Sequence, residues 1–309
     1  MLFCTCTFEN RHVTSTAPAA ATPRLERSTD PPIDRLPPHA YFVISAVFHY
    51  LGPALAVLLF ARIDVLGVAW LRIVTAAVLF AVWRHPWRVW RELGRGTRRV
   101  LMGWGTVLAV MNSCFCIAID RLPLGTVAAI EFVPVIALAA LSARTVRNSM
   151  ALLLAVPGVY LLTDVRLAAE PVGVAFAAAN AVLFALYIVL GHRVAQSDLI
   201  RGIDGLALAM LIAAVVAFQI GIWGAGPAFI DPVALAAAMG VGVCSSVVPY
   251  VCDQLAMARL TRATYALMVS LLPATATVIG VVVLTQVPTP VETIGVVLVI
   301  AGVAIHKGR

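Results

Sequence analysis

Residues 121–142 read RLPLGTVAAIEFVPVIALAALS, and beyond Pro123 the run is apolar for about the length a helix needs to cross a bilayer, except at Glu131. A charged group at the centre of a membrane helix costs several kcal/mol, roughly 2.5–3.5 on insertion scales, and as a rule faces a cavity or a partner. The stretch therefore predicts a transmembrane helix, and its glutamate predicts something polar for that helix to face.

The remainder of the chain has the same character. Of 309 residues, 61% are hydrophobic and 12% charged, against about 25% charged in soluble domains. Windows apolar enough to span centre near residues 50, 74, 109, 133, 156, 181, 214, 244, 274 and 298, which predicts an all-α integral membrane protein of ten transmembrane helices. The basic residues then fall on alternate loops. Eighteen lie in the N-terminal tail, in residues 84–99, in the loops at 144–147, 193–201 and 259–262, and at the C-terminus. Only Arg62, Arg121 and Arg166 lie on the opposite side, and Arg72 is left inside a span. The excess places both termini in the cytoplasm. It also accounts for the net charge of +7 without nucleic acid, for which there is no basic, aromatic-interleaved motif.

Residues 1–38 hold six prolines among Ser, Thr and charges, lack the apolar core of a signal peptide, and are expected to form a retained, disordered cytoplasmic tail. The six cysteines have neither disulfide nor zinc spacing, so no metal or cofactor is expected. No nucleophile and base share a span, and there is no Walker-type phosphate loop, so the chain does not read as an enzyme.

Two internal echoes organise the spans. RLPLGTVAAIEFVP at 121–134 is answered by RLTRATYALMVSLLP at 259–273, and AVPGVYLL at 155–162 by VIAGVAIH at 299–306. Five spans per half send the second copy into the membrane from the other side, the inverted plan of many secondary transporters. The boundaries expected are 39–165 for the first repeat and 170–306 for the second. In such a plan the site lies near the midplane, and proline-interrupted spans in corresponding positions point to it. Here those prolines are Pro134 and Pro273.

Arg72 lies eight residues after Asp64, and Glu131 eight after Pro123, both in helices descending from the same side. At 1.5 Å per residue the two charges share a depth of about 12 Å. The pair is therefore a candidate ion pair, either locking two helices or serving transport. His49, Asn180, Gln219, Ser245, Ser246 and Ser270 are further polar residues in mid-span, where hydrogen bonds between helices are common and modest.

The segments DVLGVAWLRIVTAAVLFAVWRHPWR, MNSCFCIAIDRLPLGTVAAIEF, YIVLGHRVA and VVPYVCDQLAMARLTRATYALM resemble the EamA branch of the drug/metabolite transporter superfamily, nearest its threonine/homoserine exporter subgroup. The resemblance runs from about residue 41 to 306. It implies two inverted five-helix EamA repeats and a central path in the inner membrane. It also implies export of a small metabolite such as an amino acid, driven by an ion gradient, with protons as one candidate. Tyr50, within the resembling span, and Asn112, Tyr187 and Tyr250, in the quoted segments, join Glu131, Arg72, Pro134 and Pro273 as expected cavity residues. Partners are a small-molecule substrate and the lipid bilayer, and the oligomeric state stays open, a dimer included.

The chain departs from the family in its second half. Leu272-Pro273 stands where a Glu-Pro pair is usual, and Thr285-Gln286 where Gly-Glu is usual. Near Glu131 the family's proline falls one residue later than Pro134. A degenerate, non-transporting component and a carrier of drugs or another solute are therefore the alternatives, the drug reading disfavoured by an aromatic content of 8%.

Overall fold

A computed structural model describes residues 37–142, 146–167, 170–195, 200, 202–249, 251–252 and 272–305. Tyr250, nearly all of the expected tail and most of the echo at 259–273 lie outside the described residues. Twelve α-helices occur among those described: α1 (Pro38–Leu59), α2 (Val65–Arg84), α3 (Trp87–Glu92), α4 (Arg95–Arg121), α5 (Leu124–Ser142), α6 (Val146–Leu167), α7 (Pro171–Ala195), α8 (Gly202–Gly224), α9 (Gly226–Ile230), α10 (Pro232–Gly242), α11 (Leu272–Leu284) and α12 (Pro290–Ile305). A π-helical turn, Val243–Val247, continues α10.

Five of these, α1, α2, α4, α7 and α8, contain segments long and apolar enough to cross a membrane by length and composition. Five shorter apolar stretches lie in α5, α6, α10 with its π-turn, α11 and α12. An apolar helix therefore stands at every window picked out by hydropathy. The short helices α3, in the arginine-rich loop, and α9 went unforeseen, because neither has a span's length.

Local chemistry starts the helices where the sequence places its caps. The Asp64 carboxylate accepts the Leu66 N–H at 3.0 Å and opens α2. Asp231 accepts the N–H groups of Val233 and Ala234 ahead of α10, with Pro232 as the first helical residue. Thr289 and Glu292 form a capping box at α12: the Glu292 carboxylate accepts the Thr289 N–H at 2.8 Å, and Thr289 Oγ1 accepts the Glu292 N–H at 3.3 Å.

The α2–α8 seam is antiparallel and polar at one end. Gly67 of α2 meets Gly224, where an added Cβ would stand 2.4 Å from the Gly224 carbonyl carbon, so only glycine allows these backbones to approach. Three residues farther along α2, Trp70 Nε1 donates to the Ala214 carbonyl at 3.1 Å. At the far end Arg84 Nε donates to Asp204 Oδ1 at 2.7 Å. The helices α6 and α12 pack antiparallel in the same way, Gly158 against Gly295 and Gly302 against Ala155. Further packing joins α4 to α7 and α8, α5 to α6, α7 and α11, and α1 to α10, its π-turn and α11.

The start of α5 is held from the second half. The Leu124 N–H, one of the orphan donors of a helix start, is accepted by Gln286 Oε1 at 3.0 Å. Preceding it, Thr285 adopts φ 55°, a left-handed conformation that a β-branched residue enters at a cost of about 1–2 kcal/mol. This is the position where the family resemblance implies Gly-Glu. The glycine belongs to the left-handed turn, and the acidic residue to a cap whose acceptor role glutamine still fills. Thr285→Gly is expected to stabilise the protein by about 0.5–1 kcal/mol after the unfolded-state entropy of glycine is offset. Thermal unfolding in detergent measures this, and a lower midpoint would contradict the strain.

Candidate functional site

A cavity of about 60 Å³ lies among α1, α2, α4, α5, α7, α8 and the π-turn, room for about four water molecules. Its polar wall is made of Arg72, Asn112, Glu131, Asn180, His49, Ser245 and Ser246, and its apolar wall of Pro53, Ile73, Met111, Phe115, Phe184, Tyr187 and Met210.

Helix register explains how three of the polar residues meet. Arg72 is seven residues from the start of α2, Glu131 seven from the start of α5, and Asn180 nine from the start of α7. At 1.5 Å per residue they lie about 10–14 Å along their helices. All are withdrawn from solvent, with exposures of 4% for Arg72, 8% for Glu131 and 0% for Asn180.

Arg72 and Glu131 share the cavity but make no ion pair. The ion pairs among the described residues are Arg62–Asp231 at 3.5 Å and Arg84–Asp204. Each buried charge is instead held by an asparagine. An Arg72 Nη2 hydrogen donates to Asn112 Oδ1, whose own Nδ2 donates to the Leu108 carbonyl at 2.8 Å. Asn180 Nδ2 donates to Glu131 Oε1 at 3.2 Å. A guanidinium only donates and a carboxylate only accepts, so each charge fixes the orientation of its amide. The direct pair expected from equal depth is thus replaced by two charge–amide pairs, because depth along a helix says nothing about the direction in which a side chain leaves it.

The other expected residues divide. Tyr187 lines the cavity and stacks on Phe184 at 6.4 Å between centroids. Tyr50 is 1% exposed and stands behind the lining, its ring edge-on to His49 at 5.0 Å. Pro134 lies inside a continuous α5, Pro273 is the second residue of α11, and neither lines the cavity. The helix irregularity that does reach the cavity is the π-turn in the VCSSV segment. Four residues after Ser245 comes Pro249, which has no N–H for the Ser245 carbonyl and whose ring would strike it, so the helix widens just ahead. The widening presents Ser245 and Ser246, 3.4 Å apart, to the cavity, and the Pro249 carbonyl accepts from Ser45 of α1 at 3.2 Å.

Opposite the π-turn, Gly52 of α1 makes the approach possible. A Cβ there would lie 2.5 Å from Ser245 Cβ and 2.7 Å from its backbone nitrogen. His49, Asn180, Ser245 and Ser246 are the polar lining residues that sequence reasoning passed over as ordinary polar residues in mid-span. The depth count that matched Arg72 with Glu131 would have found Asn180 as well, had it been applied to neutral amides.

Comparison with known proteins finds related transporters. The EamA-like transporter family matches residues 171–306, the half that carries the departures noted above. The chain is similar to the threonine/homoserine exporter RhtA of Salmonella typhimurium (strain LT2), 30% identical over 253 residues covering 81% of this chain and 84% of the relative. It is likewise similar to the threonine/homoserine exporter RhtA of Escherichia coli (strain K12), 29% identical over 253 residues with the same coverage. With four-fifths of its length aligned to these exporters and a family match over its second half, the chain belongs to the EamA-like transporter family.

Proposed function

We propose that the protein is a secondary transporter that exports a small amino acid of the threonine/homoserine kind across the inner membrane, coupled to an ion gradient, with Glu131 as the coupling group. The observation that carries this reading is the cavity at the meeting of the helices, which holds one buried base and one buried acid in a chain whose relatives are named threonine/homoserine exporters.

The packing supports two inverted five-helix repeats, α1, α2, α4, α5 and α6 followed by α7, α8, α10, α11 and α12. Exchange of the halves turns the α4–α7 contact into α10–α1, α5–α7 into α11–α1, and α4–α8 into α10–α2, and all six contacts occur. Corresponding helices α2 and α8, and α6 and α12, run antiparallel, as inversion requires. With the arginine excess on the side of residues 84–99, both termini are cytoplasmic.

Alkaline phosphatase fused within residues 84–99 is expected to be inactive, and fused after Thr285 active. In cells overproducing the protein, threonine or homoserine is expected to accumulate outside faster than in controls. Unchanged efflux of every amino acid would reject the exporter reading, and the phosphatase pattern reversed would reject the topology.

A further inference from the structure

Two polar atoms on the cavity wall are buried and without a hydrogen-bond partner among the described residues, and they have opposite character. Arg72 Nε is a donor and Asn180 Oδ1 an acceptor. Buried polar groups are rarely left unpaired, since each costs about 1–3 kcal/mol and more when charged. Both belong to side chains held at another atom, Arg72 through Nη2 by Asn112 and Asn180 through Nδ2 by Glu131, so neither turns away without breaking a charge-assisted bond. The orphans therefore ask for a ligand that accepts at one end and donates at the other.

The charges say more about that ligand. With Arg72 and Glu131 both ionised the wall is neutral, so a net-neutral dipolar solute enters without leaving an uncompensated charge in a low-dielectric site. A bare acid or a bare amine does leave one. Resting on the exporter reading above, we infer that this cavity divides an α-amino acid between two walls. Arg72 takes the α-carboxylate, with Nε completing a planar fork. Asn180 Oδ1, together with Glu131, takes the α-ammonium.

The assignment is tested with purified full-length protein by calorimetric or thermal-shift titration of three probes: L-threonine, L-threonine methyl ester, which lacks the anionic end, and 2,3-dihydroxybutyrate, which lacks the ammonium. Wild-type protein is expected to bind threonine at least about 100-fold more tightly than either analogue, since sites built to hydrogen-bond a group reject its absence strongly. In Arg72→Gln the preference over the ester is expected to shrink to about threefold or less while the preference over the dihydroxy acid persists. In Asn180→Leu the pattern is expected to reverse. Arg72→Lys and Asn180→Ser serve as gentler variants if the first pair folds poorly, and each is expected to lower the same ratio as its parent substitution.

A residue that merely supports the fold would weaken all three probes alike. Unchanged ratios, or a wild-type protein that does not prefer threonine, overturn the assignment. Flux in reconstituted vesicles separates the two readings. Binding with the expected ratios but no movement of threonine removes the exporter and keeps the site, whereas movement with unchanged ratios does the opposite.

Discussion

In vesicles with a pH difference of one unit, wild-type protein is expected to hold about a tenfold threonine ratio, and Glu131→Gln a ratio of about one. One pH unit is worth about 1.4 kcal/mol per proton, which is a tenfold solute ratio if one proton accompanies each solute. Glutamine has nearly the shape of glutamate and still presents an oxygen to Asn180 Nδ2, so the 3.2 Å contact and the packing around it survive. What it lacks is an ionisable oxygen. Equilibrium exchange of labelled threonine at saturating concentration is therefore expected to continue while accumulation against the gradient stops. A tenfold ratio retained by Glu131→Gln would reduce the carboxylate to a group that orients Asn180.

How far the sequence reaches is clearest at these residues. A lone glutamate in an apolar run and a lone arginine in another, counted to equal depth, single out Arg72 and Glu131, and both line the cavity described above. Their partners were not legible. A helix advances about 100° per residue, so two residues at one depth face each other only if their helices are rotated to suit, and rotation is set by packing. Small residues at Gly67, Gly52 and Gly158 set that packing, and nothing local to them says which helix they will meet. The π-turn was hidden for a related reason. A proline such as Pro249 reads in sequence as a kink, and whether the helix bends, breaks or widens depends on what its freed carbonyl finds. Here the widening lies against Gly52 of α1.

The departures from the family pattern are read differently once the backbone is known. Thr285-Gln286 looked like a lost acidic position in the second half. The structure gives the pair a mechanical task, a left-handed turn followed by a cap on the helix that carries Glu131. A neutral acceptor performs the cap, although a carboxylate there would gain about 0.3–1 kcal/mol from the helix dipole. Its loss therefore costs some stability at the entrance to α5 and removes no charge from the cavity, whose lining does not include residue 286. Leu272 stands in the other acidic position, beside Pro273, and also lies outside the lining.

Asn112→Leu is expected to be the most destabilising single substitution on the polar wall. Arg72 is 4% exposed, and its one hydrogen bond among the described residues is to Asn112 Oδ1. Removing that acceptor leaves the buried guanidinium over the Phe115 ring without a charge-assisted hydrogen bond, a loss of up to about 3–5 kcal/mol by analogy with broken buried pairs in soluble interiors. Glu131→Gln takes from Arg72 only the field of a charge it does not touch, a smaller effect. The double substitution Arg72→Leu/Asn112→Leu removes donor and acceptor together and is expected to recover most of the loss. Two double-mutant cycles, read by thermal unfolding in detergent, compare the pairs directly. The Arg72–Asn112 cycle is expected to show the larger coupling, within the range of about 0.5–3 kcal/mol found for residues in contact. A larger coupling in the Arg72–Glu131 cycle would mean that the two charges meet in the membrane and that the asparagines only stand beside them.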